Sequence, residues 1–460
     1  MNSSEKAPVK RSFLRSLGPA VIVASVVLGP GSILTNSKVG TQFGYSMIWV
    51  LVSACVFMFA AASMSARLGV VYDNSFCTEL RNRLGRPFAL VTGISIFLIA
   101  TCFQFTNNLG VLAAVEPLLT SSSQPDAGVP LIYSILILGL LNGLIIAVLF
   151  GLKHLYKPLE KVMMVMVGIM ILVFVTNIFF AGPSIEEILM GLKPSWPADD
   201  DGQLLPIIPE LSEKIVEGKL KNYIYDPIGL LVALMATTFS VAGAFYQGYL
   251  VKEKGWKLGN LKQGMIDSFA GIFVLGGISL VIMVTSAAVL HGSGVKADDL
   301  KSVTAVAQQL KPLLGDWGNM AEVLFCVGIF AGAFSSFMVN AMIGGVMLSD
   351  GLGYDCKLDS ISTKVCTTIA LVFGMIVAVA SLSLEEGAIV PLIILGQGMT
   401  VIGVPILAVA LLYLATRPEL IGERKIPNWM IAIVSVGAVL VLILAIRTSW
   451  VVFLKITLLV

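Results

Sequence analysis

The residues able to do chemistry are few, and the most telling are two short interruptions of long apolar stretches: Gly29-Pro30-Gly31-Ser32, and Ser240-Val241-Ala242-Gly243-Ala244 far downstream. Proline removes a backbone donor and glycine loosens a helix, so the first run predicts a helix broken near its middle. The second run holds only small residues, which suit either unwinding or close packing between helices. A helix broken at membrane depth frees N–H and C=O groups, and such groups bind ions and polar solutes. Acids near membrane depth are Glu116, Asp267 and Glu322, all towards the ends of apolar runs. Glu116, before Pro117, reads as an interfacial residue. Asp267 reads as a cap for the helix it begins, or as a gate residue. His154 and His291 lie near opposite ends of their runs with no carboxylate at metal-ligand spacing, so neither a metal centre nor a histidine proton relay is expected. The six cysteines form no CxxC pair and read as small buried hydrophobes. No nucleophile, phosphate loop or metal cluster is visible, so an enzyme is not expected, and no cofactor is called for.

The elements that must position these residues follow from composition. Of 460 residues, 57% are apolar and 13% charged, with a mean hydropathy of +0.92. Soluble domains carry about 45–50% apolar and about 25% charged residues, so the chain reads as an integral membrane protein in contact with the lipid bilayer. A net charge of +2 offers no polybasic face for nucleic acid. Runs long enough to cross a bilayer fall near 17–37, 46–66, 88–119, 130–151, 160–181, 228–250, 266–291, 318–346, 365–384, 388–415 and 427–447, which makes eleven predicted spans. With the N-terminus inside, 20 of the 30 cationic residues fall in inner segments. That distribution predicts a multi-pass cell-membrane protein with a cytoplasmic N-terminus and an external C-terminus. The loop 182–227 holds nine acids, including Asp199, Asp200 and Asp201, and reads as a solvated outer loop. Five spans separate the two interruptions in order, as an inverted repeat of five helices plus five would require.

Particular stretches carry a resemblance to the NRAMP family of metal transporters. Leu28-Gly29-Pro30-Gly31-Ser32, then Trp49-Val50-Leu51 and Ala66-Arg67-Leu68-Gly69-Val70, resemble that family's Asp-Pro-Gly-Asn helix and its second span. The similarity continues through Gly151-Leu152, Lys157-Pro158-Leu159-Glu160, Met265-Ile266-Asp267-Ser268, Leu290-His291-Gly292, Ala331-Gly332 with Ser335-Ser336, and Gln397 ahead of Pro405. The resemblance implies an all-α membrane protein with a LeuT-type 5+5 inverted repeat and helices 1 and 6 broken. Residues 1–11 would be a cytoplasmic tail, 12–181 the first repeat, 182–227 an external loop, 228–415 the second repeat, and 416–460 a loop and eleventh helix.

Where the family carries its chemistry, this chain differs. The positions matching the family's metal-binding aspartate and asparagine are Gly29 and Ser32, and Ser240-Val241-Ala242-Gly243 stands where the family has Met-Pro-His-Asn. Gln247 matches a further histidine, and Gln104 and Asn107 match the acids of the family's proton path. The substrate site implied is therefore neutral: Gly29, Gly31, Ser32, Ser240, Gly243 and Gln397, with Gln104, Asn107 and Gln247 as former proton-path positions. Thr35, Asn36, Asn108, Tyr246, Ser336 and Asn340 would add further amides and hydroxyls. The expected function is alternating-access transport by a monomer, of a small polar or anionic organic solute and not of a proton-coupled transition metal. The alternative is a divalent ion, Mg²⁺ or Mn²⁺, through a relaxed neutral-ligand site; a second alternative is a sensor that does not transport.

Overall fold

The computed structural model describes residues 18–119, 130–198, 203–216, 219–300, 306, 318–383 and 403–459. In lipid, an apolar run satisfies its backbone internally only as a helix or in a closed barrel, and here the long runs are helices. The first half is α1 (Pro19–Val27), α2 (Pro30–Phe43), α3 (Ile48–Val71), α4 (Phe76–Leu84), α5 (Arg86–Leu119), α6 (Leu131–Gly151), α7 (Tyr156–Ala181) and the short α8 (Ile185–Met190). A hairpin follows, β1 (Glu210–Val216) with β2 (Lys219–Tyr225), antiparallel and in register from Glu210 opposite Tyr225 to Val216 opposite Lys219. Then come α9 (Gly229–Thr238), α10 (Val241–Glu253), α11 (Leu261–Leu290), α12 (Gly318–Leu352) and α13 (Ile361–Ser383). The chain ends with α14 (Gly403–Ala415) and α15 (Asn428–Leu459).

Among the described residues, nine helices are long and apolar enough to span, and α1 with α2 forms a tenth span bent by 60°. Of the predicted tenth run, only α14 falls within the described residues; its first half lies outside them. The molecule is an all-α membrane protein with a LeuT-type fold. Its sixth span is interrupted less sharply than its first: the helix stops at Phe239 and Ser240 and resumes at once. The difference has a local cause, since the first break contains Pro30 and the second contains no proline.

Burial sorts the spans. In α12, 72% of the apolar window is buried, against 22% in α6, so α12 is the central post and α6 faces lipid. Close helix crossings rest on glycine. A Cβ on Gly69 of α3 would lie 2.3 Å from the Gly248 carbonyl oxygen of α10, so only glycine fits there.

Several outcomes differ from expectation. The segment 182–227 is not a bare loop, because it contains α8 and the hairpin, which is tied to α15 by Arg447 paired with Asp226 and by Trp450 Nε1 donating to the Pro209 carbonyl at 3.1 Å. Helix α15 continues to Leu459, well past the predicted end at 447, because no breaker interrupts Thr448 to Leu459. Asp267 does not cap its own helix, which starts a turn and a half earlier at Leu261. Instead its fully buried carboxylate accepts the backbone N–H groups of Gly18 at 2.7 Å and Ala20 at 2.9 Å, capping α1 from across the bundle. Beside it, Lys254 pairs with Glu160 at 2.8 Å. A Cβ on Gly18 would fall 1.8 Å from Glu160 Oε1, so a glycine is required at that approach.

Hydrogen bonds to charged groups contribute about 1.5–3 kcal/mol each. Asp267→Ala is therefore expected to lower unfolding stability by about 3 kcal/mol or more, while Glu213→Ala on the exposed hairpin stays within about 0.5 kcal/mol. Thermal melts of the two purified variants check this, and equal melting temperatures would refute the cap.

Candidate functional site

Each interruption leaves helix ends that must find partners. At the end of α1, two neighbouring hydroxyls on α12 supply them: Ser335 Oγ donates to the Ser25 carbonyl at 3.1 Å, and Ser336 Oγ to the Val26 carbonyl at 2.9 Å. At the start of α10, Ser240 Oγ accepts the Gly243 N–H at 3.3 Å. The start of α2 is different. Its cap residue is Gly29 and its first residue is Pro30, and no side chain caps it, so the N–H groups of Gly31 and Ser32 are left to the interior. That end carries the positive pole of α2.

The two interruptions open on one cavity of about 250 Å³. Gly29, Gly31, Ser32, Ser240 and Gly243 all line it, with Asn107 of α5 and with Ser336 and Asn340 of α12. Its remaining walls are mostly apolar, including Val27, Ile96, Ile99, Phe103 and Phe239. Asn107 is 4% exposed and its Nδ2 has no partner, so an amide waits beside the break. A Cβ on Gly31 meets nothing within 4 Å, whereas one on Gly29 would come within 2.7 Å of Ser336 Oγ and 3.5 Å of Asn107 Oδ1. Gly31 therefore faces open space, and Gly29 is a contact point.

Other expected residues lie elsewhere. Gln104 is buried against α12, donating from Nε2 to the Phe337 carbonyl at 2.9 Å, and does not line the cavity. Gln247 donates to Asp267 Oδ2 at 3.3 Å, which places it in the network that caps α1. Asn36 turns back on Ser32, donating from Nδ2 to its carbonyl at 2.8 Å, and Thr35 bonds the Gly31 carbonyl at 2.8 Å. Asn108 and Asn142 bond each other at 2.9 Å. Tyr246 is fully buried and its hydroxyl has no partner. Gln397 lies outside the described residues. Conversely, Thr106, Thr237 and Thr448 line the cavity unforeseen, the last from α15. Thr106 and Thr237 sit beside sequence signals already noted, but nothing in the sequence marks α15 as a wall.

Among the described residues, no group of three or more His, Cys, Asp or Glu side chains could hold a metal ion. His154 is exposed, with Nδ1 3.9 Å from Asp359, and His291 Nδ1 lies 2.9 Å from the Thr41 carbonyl, pinning the end of α2 to that of α11. What the cavity offers is neutral oxygen from hydroxyls, amides and carbonyls, plus one uncapped helix N-terminus.

Two interrupted helices meeting on one cavity, with a few neutral polar groups among apolar walls, inside a bundle of membrane-spanning helices define a LeuT-type membrane transporter. The chain belongs to the Nramp family: the model of Natural resistance-associated macrophage protein-like sequences matches residues 20–451. A similar relative is the divalent metal cation transporter MntH of Deinococcus radiodurans, 26% identical over 444 residues that cover 93% of this chain and 89% of the relative. Among solved structures, a manganese transporter of Eremococcus coleocola superposes with a TM-score of 0.74 at 18% identity, covering 96% of this chain and 88% of that one. Mhp1, a nucleobase-cation-symport-1 family transporter, shares the fold at a TM-score of 0.54 and 12% identity, covering 100% and 95%.

The contrast between open and crowded glycines is directly measurable. Gly31→Val should change stability by no more than about 0.5 kcal/mol, and Gly69→Val should cost about 2 kcal/mol or more by forcing α3 from α10. Denaturation of both variants checks the assignment, and a large loss at Gly31 would place that residue in a packed contact instead of a cavity.

Proposed function

We propose that this chain transports a divalent metal ion through a neutral-oxygen site at the two helix interruptions. The observation that carries the reading is the family match across nearly the whole chain, joined to a central cavity where those interruptions converge. With no carboxylate among the described lining residues, a dication keeps much of its own water. A water fills about 30 Å³ of liquid, so a cavity of about 250 Å³ accommodates an ion with its first hydration shell. Hydroxyl and amide oxygens suit hard ions, and Mg²⁺ is the ion that dehydrates most reluctantly, so it is the favoured cargo, with Mn²⁺ weaker. Ser32, Asn107, Ser240, Ser336 and Asn340 would contact the hydrated ion. The protein works by alternating access in the cell membrane, as a monomer with its N-terminus inside, and residues 12–181 and 228–415 are the two repeats that move.

A second reading, a small polar or anionic organic solute, is favoured by one observation: the uncapped N–H groups of Gly31 and Ser32 beside apolar walls. Such a helix end suits a carboxylate.

One substitution separates the two. Gly31→Asp places a carboxylate in open space, which strengthens a dication by adding a hard anionic ligand and weakens an anion by like charge. Mg²⁺ uptake into proteoliposomes should be saturable only in the millimolar range for the native chain and should shift to lower concentration in the variant. Mg²⁺ uptake unaffected by both Gly31→Asp and Gly31→Val, with carboxylate binding lost in both, would transfer the assignment to the organic solute. Uptake should also leave lumenal pH unchanged, because the cavity side chain Asn107 and the neighbouring Gln104 do not titrate. Substrate-dependent acidification reported by a pH-sensitive dye would show a proton path through another group.

A further inference from the structure

A second cavity, of about 360 Å³, lies apart from the central one, between α3, α11 and α15. It sits at the end of the bundle that holds the Lys254–Glu160 pair, and the bundle's cationic loops gather there. Its walls include Ser63, Arg67, Lys262 and Trp429. Arg67 grips the loop before α15, with Nε donating to the Lys425 carbonyl at 3.0 Å and Nη2 to the Glu423 carbonyl at 2.5 Å. Among the described residues, its Nη1 has no hydrogen-bond partner. Lys262 is exposed and has no acidic partner among the described residues. The gripped loop adds Arg424 and Lys425, both exposed, against the single acid Glu423. Ser63 is 3% exposed, and its buried hydroxyl has no hydrogen-bond partner. A donor is thus left open inside a cationic pocket.

From this pocket an aromatic track leads towards the middle of the bilayer. The Trp429 ring stacks on Phe59 at 6.0 Å, Phe59 meets Phe269 edge-on at 5.9 Å, and Phe269 stacks on Phe273 at 6.2 Å. Phe269 and Phe273 are 60% and 71% exposed. From Lys262 to Phe273 the rise along α11 is roughly 16 Å at 1.5 Å per residue, close to the roughly 15 Å of one leaflet's hydrocarbon. The headgroup pocket and the apolar track therefore match the two halves of one lipid molecule.

We propose that this crevice binds an anionic phospholipid, with its phosphate held by Lys262, Arg67 and Ser63 and its chains laid along Phe59, Phe269 and Phe273. The phosphate is recognised by cations and a hydroxyl donor, and the chains by the exposed rings of Phe269 and Phe273 with the half-buried Phe59 beside them. A bound lipid also bridges α3, α11 and α15, so it stiffens the seam between the last helix and the bundle. The site is independent of the cargo in the central cavity.

The test uses the full chain in mixed micelles of phosphatidylglycerol and phosphatidylcholine, with native mass spectrometry counting retained lipid. The native protein should retain one phosphatidylglycerol in preference to phosphatidylcholine. Lys262→Gln, an exposed change that leaves the Arg67 grip intact, should reduce that preference about five-fold, as expected for one cation near a headgroup. Lys262→Arg should restore it. Equal retention of the two lipids, or a preference that survives Lys262→Gln, would overturn the proposal. So would displacement of the lipid by millimolar inorganic phosphate alone, which would make the occupant a soluble phosphate.

Discussion

A broken helix inside a membrane has to satisfy every backbone group that the break exposes, and no bulk water is at hand to do it. This constraint organises the molecule. The start of α1 is served by Asp267 from α11, its end by Ser335 and Ser336 from α12, and the start of α10 by its own Ser240. The start of α2 has no side-chain cap, and it opens onto the cavity. The N–H groups of Gly31 and Ser32 therefore face the cavity without a side-chain partner.

The same bonds determine how α1 is held. It is a nine-residue half-helix, too short to be stable alone, and its two ends are bonded to different helices. Any motion that opens the central cavity from the α1 side must release Gly18 and Ala20 from Asp267, or carry α11 along with them. The Lys254–Glu160 pair lies where Gly18 passes, so it adds a charged latch joining α7 and α10 beside the same segment. These contacts concentrate the resistance to movement at the first turn of α1, away from the cavity itself.

The spans and the first break were legible because their signals are local: apolar length sets a span, and Pro30 between two glycines stops a helix. The residues at the two interruptions were legible for the same reason, and Gly29, Gly31, Ser32, Ser240 and Gly243 do share one cavity. Side-chain direction was not legible. Gln104 and Asn107 are neighbours on one helical face, yet a modest rotation sends Gln104 into α12 and Asn107 into the cavity, and sequence spacing does not resolve that rotation. Asp267 was misread for a different reason. Its helix begins earlier than hydropathy suggests, since Lys262 and Gln263 form a polar first turn, and its true partners lie about 250 residues away in the chain. The role of α15 as a wall is likewise a tertiary fact, set by packing that no local pattern announces.

Among the described residues, carboxylates are kept out of the central cavity. Asp267, Asp350, Glu253 and Asp359 each accept backbone N–H groups at one end of the bundle: those of Gly18 and Ala20, of Cys77, of Leu358 and of Leu155. Asp350 also accepts from the Tyr249 hydroxyl at 2.6 Å and the Ser75 hydroxyl at 2.5 Å. These carboxylates hold turns and helix starts together. None lines the described cavity, so under the proposed function a dication would find only neutral dipoles there to replace its water. Full dehydration there would cost far more than hydroxyls and amides return, because a bare divalent ion needs anionic oxygen in a low-dielectric interior. Under the proposed function such a site would select by size and hydration instead of by ligand softness, with weak binding and easy release. A cavity wide enough for a hydrated ion, walled by Val27, Ile96, Ile99 and Phe103 and floored by dipoles, has the form such selection requires.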